Sequence, residues 1–161
     1  MRIVGLDAAL LPFPGLASKL FPAMAKLLFV NPFAPHVLAR VARTRGETAR
    51  FLARNTGSQI DAQGVMFYER LLATSGHVAG AITMMANWDL EALERDLSRL
   101  QAPLLLVHGE DDAAIPLSSV RKAAVLTGNC ELLELPGLGH LAHEERPEEI
   151  AEIIRRFVGE R

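Results

Sequence analysis

Cysteine is nearly absent from the 161 residues. Cys130 stands alone, so no disulfide can form within the chain, and a reducing cytoplasmic compartment is expected. An excess of charge of either sign is lacking as well. Lys and Arg number 17 against 19 Asp and Glu, a formal net charge of −2, which makes no electrostatic case for nucleic acid as a partner. No G-K-[ST] phosphate loop occurs, and Gly137-Leu138-Gly139 has neither the third glycine nor the helix start of a dinucleotide loop. Internal repeats and low-complexity segments are missing too. No secretory signal is visible, because Ile3-Val4-Gly5-Leu6 is a short apolar run that meets Asp7 at once. Only Leu71 to Trp88 is long enough to weigh as a membrane span. Thr74, Ser75, Gly76, His77, Gly80, Thr83 and Asn87 dilute it, so it reads as a buried helix behind a Ser-Gly break.

What is present is a globular profile. Half of the chain is apolar and 22% is charged, enough for one domain with a substantial core. Arg2–Leu6 reads as a short strand. A parallel strand needs a crossover on either side, so this one starts as if an upstream element were missing. Leu11-Pro12-Phe13-Pro14-Gly15 is a rigid turn. From Leu16 to Leu100 the pattern is helical, broken at Pro22, Asn31-Pro32, Pro35, Gly46, Gly57 and Gly76. Helices are expected over Ala17–Phe29, His36–Arg43, Glu47–Arg54, Ala62–Thr74, His77–Ala86 and Leu90–Leu100. Asp61 and Asp89 are placed as N-caps.

After Pro103 the pattern alternates. Leu104–Val107 reads as a strand and Leu117–Thr127 as a helix stopped by Gly128-Asn129. Glu131–Leu135 is a second strand-like run. Pro147 opens a final helix whose Ile150, Ile153, Ile154, Phe157 and Val158 form one apolar stripe. The expected fold is α/β: three parallel strands with helices and an inserted helical cap. The cap insertion runs over approximately 16–100 and the strand–helix–strand–helix core over 103–158, within a single unit.

Two loops follow neighbouring strands, one carrying Asp111 and Asp112, the other His140. Adjacent parallel strands lie about 4.8 Å apart, so a carboxylate and an imidazole can meet beyond their C-terminal ends. A carboxylate on Nδ1 fixes the tautomer and steadies the imidazolium, leaving Nε2 as a general base.

These residues carry a resemblance. Gly109-Glu110-Asp111-Asp112-Ala113-Ala114-Ile115-Pro116 resembles the acid loop of α/β-hydrolases, G-x-x-D-x-x-[VI]-P, which implies Asp112 rather than Asp111 as the catalytic acid. Gly137-Leu138-Gly139-His140 with Glu144, Glu145 and Pro147 resembles the histidine loop and implies His140 as the catalytic histidine. The family order is nucleophile, acid, histidine. The nucleophile elbow G-x-S-x-G is not in these residues: Ser18, Ser58, Ser75, Ser98, Ser118 and Ser119 all lack that context. The oxyanion segment is not among them either. The resemblance is therefore to the C-terminal portion of the fold, and the chain alone is expected to be inactive.

A narrower resemblance lies in Leu10-Leu11-Pro12-Phe13-Pro14-Gly15, Met84-Met85-Ala86-Asn87-Trp88-Asp89-Leu90 and Pro136 to Pro147. These stretches resemble the BchO family of magnesium-chelatase accessory proteins in bacteriochlorophyll biosynthesis. That implies a hydrophobic small molecule such as a tetrapyrrole, and magnesium-chelatase subunits, as partners. The alternatives are another small-molecule ester or C–C bond hydrolase, or a non-catalytic tetrapyrrole- or chelatase-binding module.

The other candidates read more plainly. Asp111 is a solvated turn residue. His108 ends a strand and packs or hydrogen-bonds there. His36 and His77 have no assigned role, and Cys130 is a small buried or edge residue. His143 stands three residues from His140, a spacing that can hold a metal, but no third ligand is placed; no metal and no cofactor are expected. Phe13, Phe21, Phe29, Phe33, Met66, Phe67, Met84, Met85 and Trp88 either line a cavity or pack the cap helices together. Leu16–Val30 is a candidate for touching a membrane surface, giving a cytoplasmic, peripheral expectation. The outer edge of the first strand should be unpaired and prone to self-association.

Overall fold

The computed structural model describes residues 1–12, 31 and 33–159. The expected helix Ala17–Phe29, the membrane-facing stretch Leu16–Val30, the end of the proline turn, and Phe13, Phe21 and Phe29 lie outside them. In chain order the elements are β1 (Ile3–Leu6), α1 (Ala34–Ala42), α2 (Glu47–Thr56), α3 (Ala62–Leu72), α4 (Ser75–Ala86), α5 (Leu90–Leu97), β2 (Leu104–Gly109), α6 (Leu117–Thr127), β3 (Cys130–Leu135), α7 (Ala142–Glu145) and α8 (Pro147–Val158).

Two compact units contain them. The first comprises Met1–Pro12, Ala53–Ile60 and Leu90–Arg161; the second comprises the described part of Phe13–Leu52 together with Asp61–Asp89. Helix α2 enters both, its last residues, Ala53–Thr56, belonging to the first.

The first unit holds a three-stranded parallel sheet in the order β1-β2-β3. Ile3 pairs with Leu104, and Leu104 with Cys130, so the register carries Gly109 to Leu135. β2 is central, and every one of its residues is buried. That is why its sequence is a continuous apolar run rather than an alternation. Among the described residues β1 and β3 each have one strand neighbour. Cys130 opens β3, half-buried, and burial pushes its thiol pKa up. Helix α6 connects β2 to β3 and stops at Gly128, whose φ of +72° a glycine adopts without strain. Helix α8 lays its apolar stripe on the sheet: Ile150, Ile153, Ile154 and Phe157 pack against Leu105, Val107 and Leu135. Val158, the last residue of the expected stripe, is 39% exposed.

The second unit is helical in its described residues. Ala39 of α1 packs with Val78 and Ile82 of α4, and α4 also meets α3. Asp61 caps α3 as expected, its Oδ1 accepting the Gly64 N–H at 2.7 Å. Helix α1 starts at Ala34 rather than His36, because Pro35 sits in the first turn, where its missing N–H costs nothing. Helix α4 starts at Ser75, taking in Gly76 rather than breaking at it.

The reading of Leu71 to Trp88 as a buried helix behind a Ser-Gly break needs correction in its burial and in the place of the break. The stretch is the end of α3 and all of α4, separated at Ala73-Thr74. Within α4 only Val78 and Ile82 are buried, while Gly76, His77, Gly80 and Met84 face outward. Its small and polar residues leave one narrow apolar stripe, not an apolar cylinder. No described helix is long and apolar enough to cross a membrane.

Candidate active site

The site forms where β2 and β3 end. β2 runs two residues further than the apolar run alone suggested, through His108 to Gly109. A Cβ at Gly109 would strike the backbone carbonyls of Leu138 and Gly139, so glycine here lets the histidine loop lie directly on the strand end. The chain then turns. The Asp112 N–H donates to the Gly109 carbonyl at 3.1 Å, and the Asp111 N–H to the Leu138 carbonyl at 2.9 Å.

The two adjacent aspartates separate by environment. Asp111 is exposed. The Asp112 carboxylate is 0% exposed. Its Oδ1 accepts the N–H groups of Ala114 (2.7 Å) and Ile115 (2.9 Å), an Asx-type turn that fixes the carboxylate plane. The other oxygen, Oδ2, lies 2.9 Å from His140 Nδ1. Ile115 is buried behind the loop, and Pro116 is the N-cap of α6.

His140 follows Gly137, whose φ is +71°. Its imidazole is 30% exposed. The hydrogen bond to Asp112 raises its pKa above the ordinary 6.5; burial opposes this, and the charges of Asp112 and Asp7 add to it. With Nδ1–H donated to Oδ2, Nε2 is the proton acceptor. Asp112 and His140, 28 residues apart in sequence, thus form one carboxylate–imidazole pair.

Asp7 and His108 escaped the sequence reading as members of this site. His108 is 1% exposed, with Nδ1 3.2 Å from Asp7 Oδ1 and 3.7 Å from Asp112 Oδ2. Asp7 has a φ of +45°, uncommon outside glycine. Its Oδ1 accepts the Gly109 N–H at 2.9 Å. Asp7 Oδ2 and both ring nitrogens of His108 have no aligned hydrogen bond, so the imidazole is close to the carboxylates without donating squarely to either. The signal for Asp7 was in the sequence: an acid directly after a short apolar strand, the same placement that drew attention to Asp111 and Asp112.

Metal binding is a poor fit. Asp7, His108 and Asp112 offer ligand atoms within 4.8 Å of one another. However, Asp112 Oδ1 already takes two amides, its Oδ2 takes His140, and Asp7 Oδ1 takes Gly109. A metal would have to displace those bonds. His140 turns Nδ1 onto Asp112, and the His143 ring lies 3.6 Å from Glu144.

In the second unit a cavity of about 370 Å³ is lined by Leu38, Val41, Phe51, Val78, Ile82 and Met85, among others. Among the described residues of the expected cavity set, Met85 lines it. Phe33, Met66, Phe67, Met84 and Trp88 are substantially exposed.

Residues 3–153 match the alpha/beta hydrolase family. The chain is 38% identical over 143 residues to the magnesium-chelatase 30 kDa subunit of Rhodobacter capsulatus, covering 89% of this chain and 50% of that one. It is 28% identical over 114 residues to the pimeloyl-[acyl-carrier protein] methyl ester esterase of Xylella fastidiosa strain M12, covering 68% and 45%. It therefore spans about half the length of the curated relatives it matches. Among solved structures, an alpha/beta hydrolase enzyme from a Medee basin deep-sea metagenome library superposes with a TM-score of 0.70 at 14% identity, covering 99% of this chain and 56% of that one. A thermophilic esterase from Thermogutta terrifontis superposes at 0.65 and 20% identity, covering 96% and 54%. Likeness at that identity speaks for the fold. Taken with the parallel sheet and the family match over nearly its whole length, it establishes that the chain belongs to the alpha/beta hydrolase family.

Proposed function

We propose that this chain carries the acid–base half of a hydrolase-type site in a protein of the magnesium-chelatase branch of tetrapyrrole synthesis. In this reading Asp112 orients His140 and stabilises its imidazolium. His140 Nε2 takes the proton from a nucleophile that lies outside these 161 residues. A positioned general base contributes about 10²–10⁴ in rate. The observation that carries the reading is the 2.9 Å contact between a buried, doubly amide-bonded carboxylate and a partly open imidazole. Similarity to the Rhodobacter capsulatus subunit supports chelatase subunits as partners and a hydrophobic tetrapyrrole as the small molecule. The exposed apolar side chains of α1, among them Val37, support a protein that works at a membrane surface.

Ester turnover tests this. The chain alone, given p-nitrophenyl butyrate and a fluorophosphonate probe, should neither turn over nor label. A chain completed upstream with the corresponding half of the Rhodobacter capsulatus relative should hydrolyse the ester. His140→Ala should reduce that rate by on the order of 10³ or more. Turnover by the 161 residues alone, lost in His140→Ala, would overturn the reading.

The cavity in the second unit favours a second reading, in which the chain binds an apolar ligand without chemistry. Protoporphyrin quenching of Trp88 fluorescence by the chain, with no hydrolysis by the completed protein, would favour it.

A further inference from the structure

We propose that Thr56–Gln59 is the positioning strap of the site, a third segment that sets how the histidine loop sits against the acid loop. It lies more than fifty residues before either loop in sequence, between two stretches of the helical second unit, yet Ala53–Ile60 belongs to the unit that bears the sheet.

Every residue of the segment has a part. The Thr56 carbonyl accepts the His140 N–H at 2.8 Å and the Ala113 N–H at 3.4 Å. One oxygen thus ties the histidine's own backbone to the residue after the acid. Gly57 has a φ of +72°, and a Cβ there would strike the Asp111 carbonyl. Only glycine lets the strap lie this close to the acid loop. Ser58 is buried, and its Oγ accepts the Leu141 N–H at 2.8 Å. The Thr56 hydroxyl in turn accepts the Ser58 N–H at 3.1 Å. The Gln59 N–H donates to Glu145 Oε2 at 3.0 Å, while Glu145 Oε1 accepts the Gly139 N–H at 2.8 Å.

His140 is therefore gripped on both sides. The amide before it, Gly139, is held by Glu145, and the amide after it, Leu141, is held by Ser58. The loop itself has two glycines in its last three residues before His140, so its own backbone does little to restrict the histidine. Ser58 is thus a positioning residue: its hydroxyl oxygen is engaged by the Leu141 amide.

The test reads the Asp112–His140 contact without turnover, so failure of the hydrolase reading leaves it decidable. The His140 ring is titrated by ¹H–¹³C NMR in wild type, Ser58→Ala, Glu145→Gln and the control Ser119→Ala, half-buried on α6. Asp112 and Asp7 are the charged groups that act on His140, and none of the variants alters them. Loosening the strap should lower the His140 pKa by about half a unit in Ser58→Ala. Glu145→Gln should show a smaller fall and Ser119→Ala none. If Ser58→Ala fails to fold, Glu145→Gln decides. A wild-type His140 pKa in the strap variants, in protein that still melts cooperatively, would overturn the proposal.

Discussion

Asp112 Oδ2 lies 2.9 Å from His140 Nδ1, with the carboxylate fully buried and the imidazole 30% exposed. This asymmetry is what the proposed general-base role requires. Asp112 is fixed by its own loop amides, and the His140 ring keeps an open side.

The pair should make stability depend on pH with a definite sign. The His140 pKa is raised above 6.5 in the folded chain, first by its bond to Asp112. A group raised in this way contributes stability below its unfolded value and loses it as pH climbs through the folded value. The difference in urea midpoint between wild type and Asp112→Asn should therefore shrink between about pH 6 and about pH 8. A gap that widens with pH would contradict the pairing.

Gly109→Ala should be costly and Gly80→Ala beneficial. A methyl at Gly109 meets two backbone carbonyls of the histidine loop, whereas Gly80, inside α4, has open space. Urea denaturation should show a loss of about 3 kcal/mol for the first. The second should gain about 0.5–1 kcal/mol from helix propensity.

His108→Leu should destabilise by about 1–3 kcal/mol, because it takes from the buried carboxylates of Asp7 and Asp112 the polar ring that lies 3.2 and 3.7 Å from them. His77→Ala, on the exposed face of α4, should stay within about 0.5 kcal/mol. Equal midpoints for the two variants would show that His108 is not holding the carboxylates.

The acid and the histidine were legible in sequence because each follows an apolar strand at a loop of fixed spacing. Leu104–Val107 and Glu131–Leu135 announce strands, and parallel neighbours bring their C-terminal loops together. The strap was not legible. Its contacts run mainly through backbone groups of Thr56, Gly57 and Gln59, and main-chain hydrogen bonding leaves no residue pattern. Ser58 showed only what it is not, a serine in a nucleophile elbow. Asp7 had the same signal as Asp112, an acid just past an apolar run, but no motif around it. The stretch from Leu71 to Trp88 misled because an uncharged segment resembles a buried one. Within α4 only Val78 and Ile82 are buried, and Gly76, His77, Gly80 and Met84 are exposed.

The most direct test of the central claim is the titration of His140 in the intact chain, wild type against Asp112→Asn. If Asp112 holds the histidine as a general base, the wild-type ring titrates above 6.5, and the variant's ring titrates lower. The same pKa in both proteins, with both folded, would mean that the two side chains do not work as a pair.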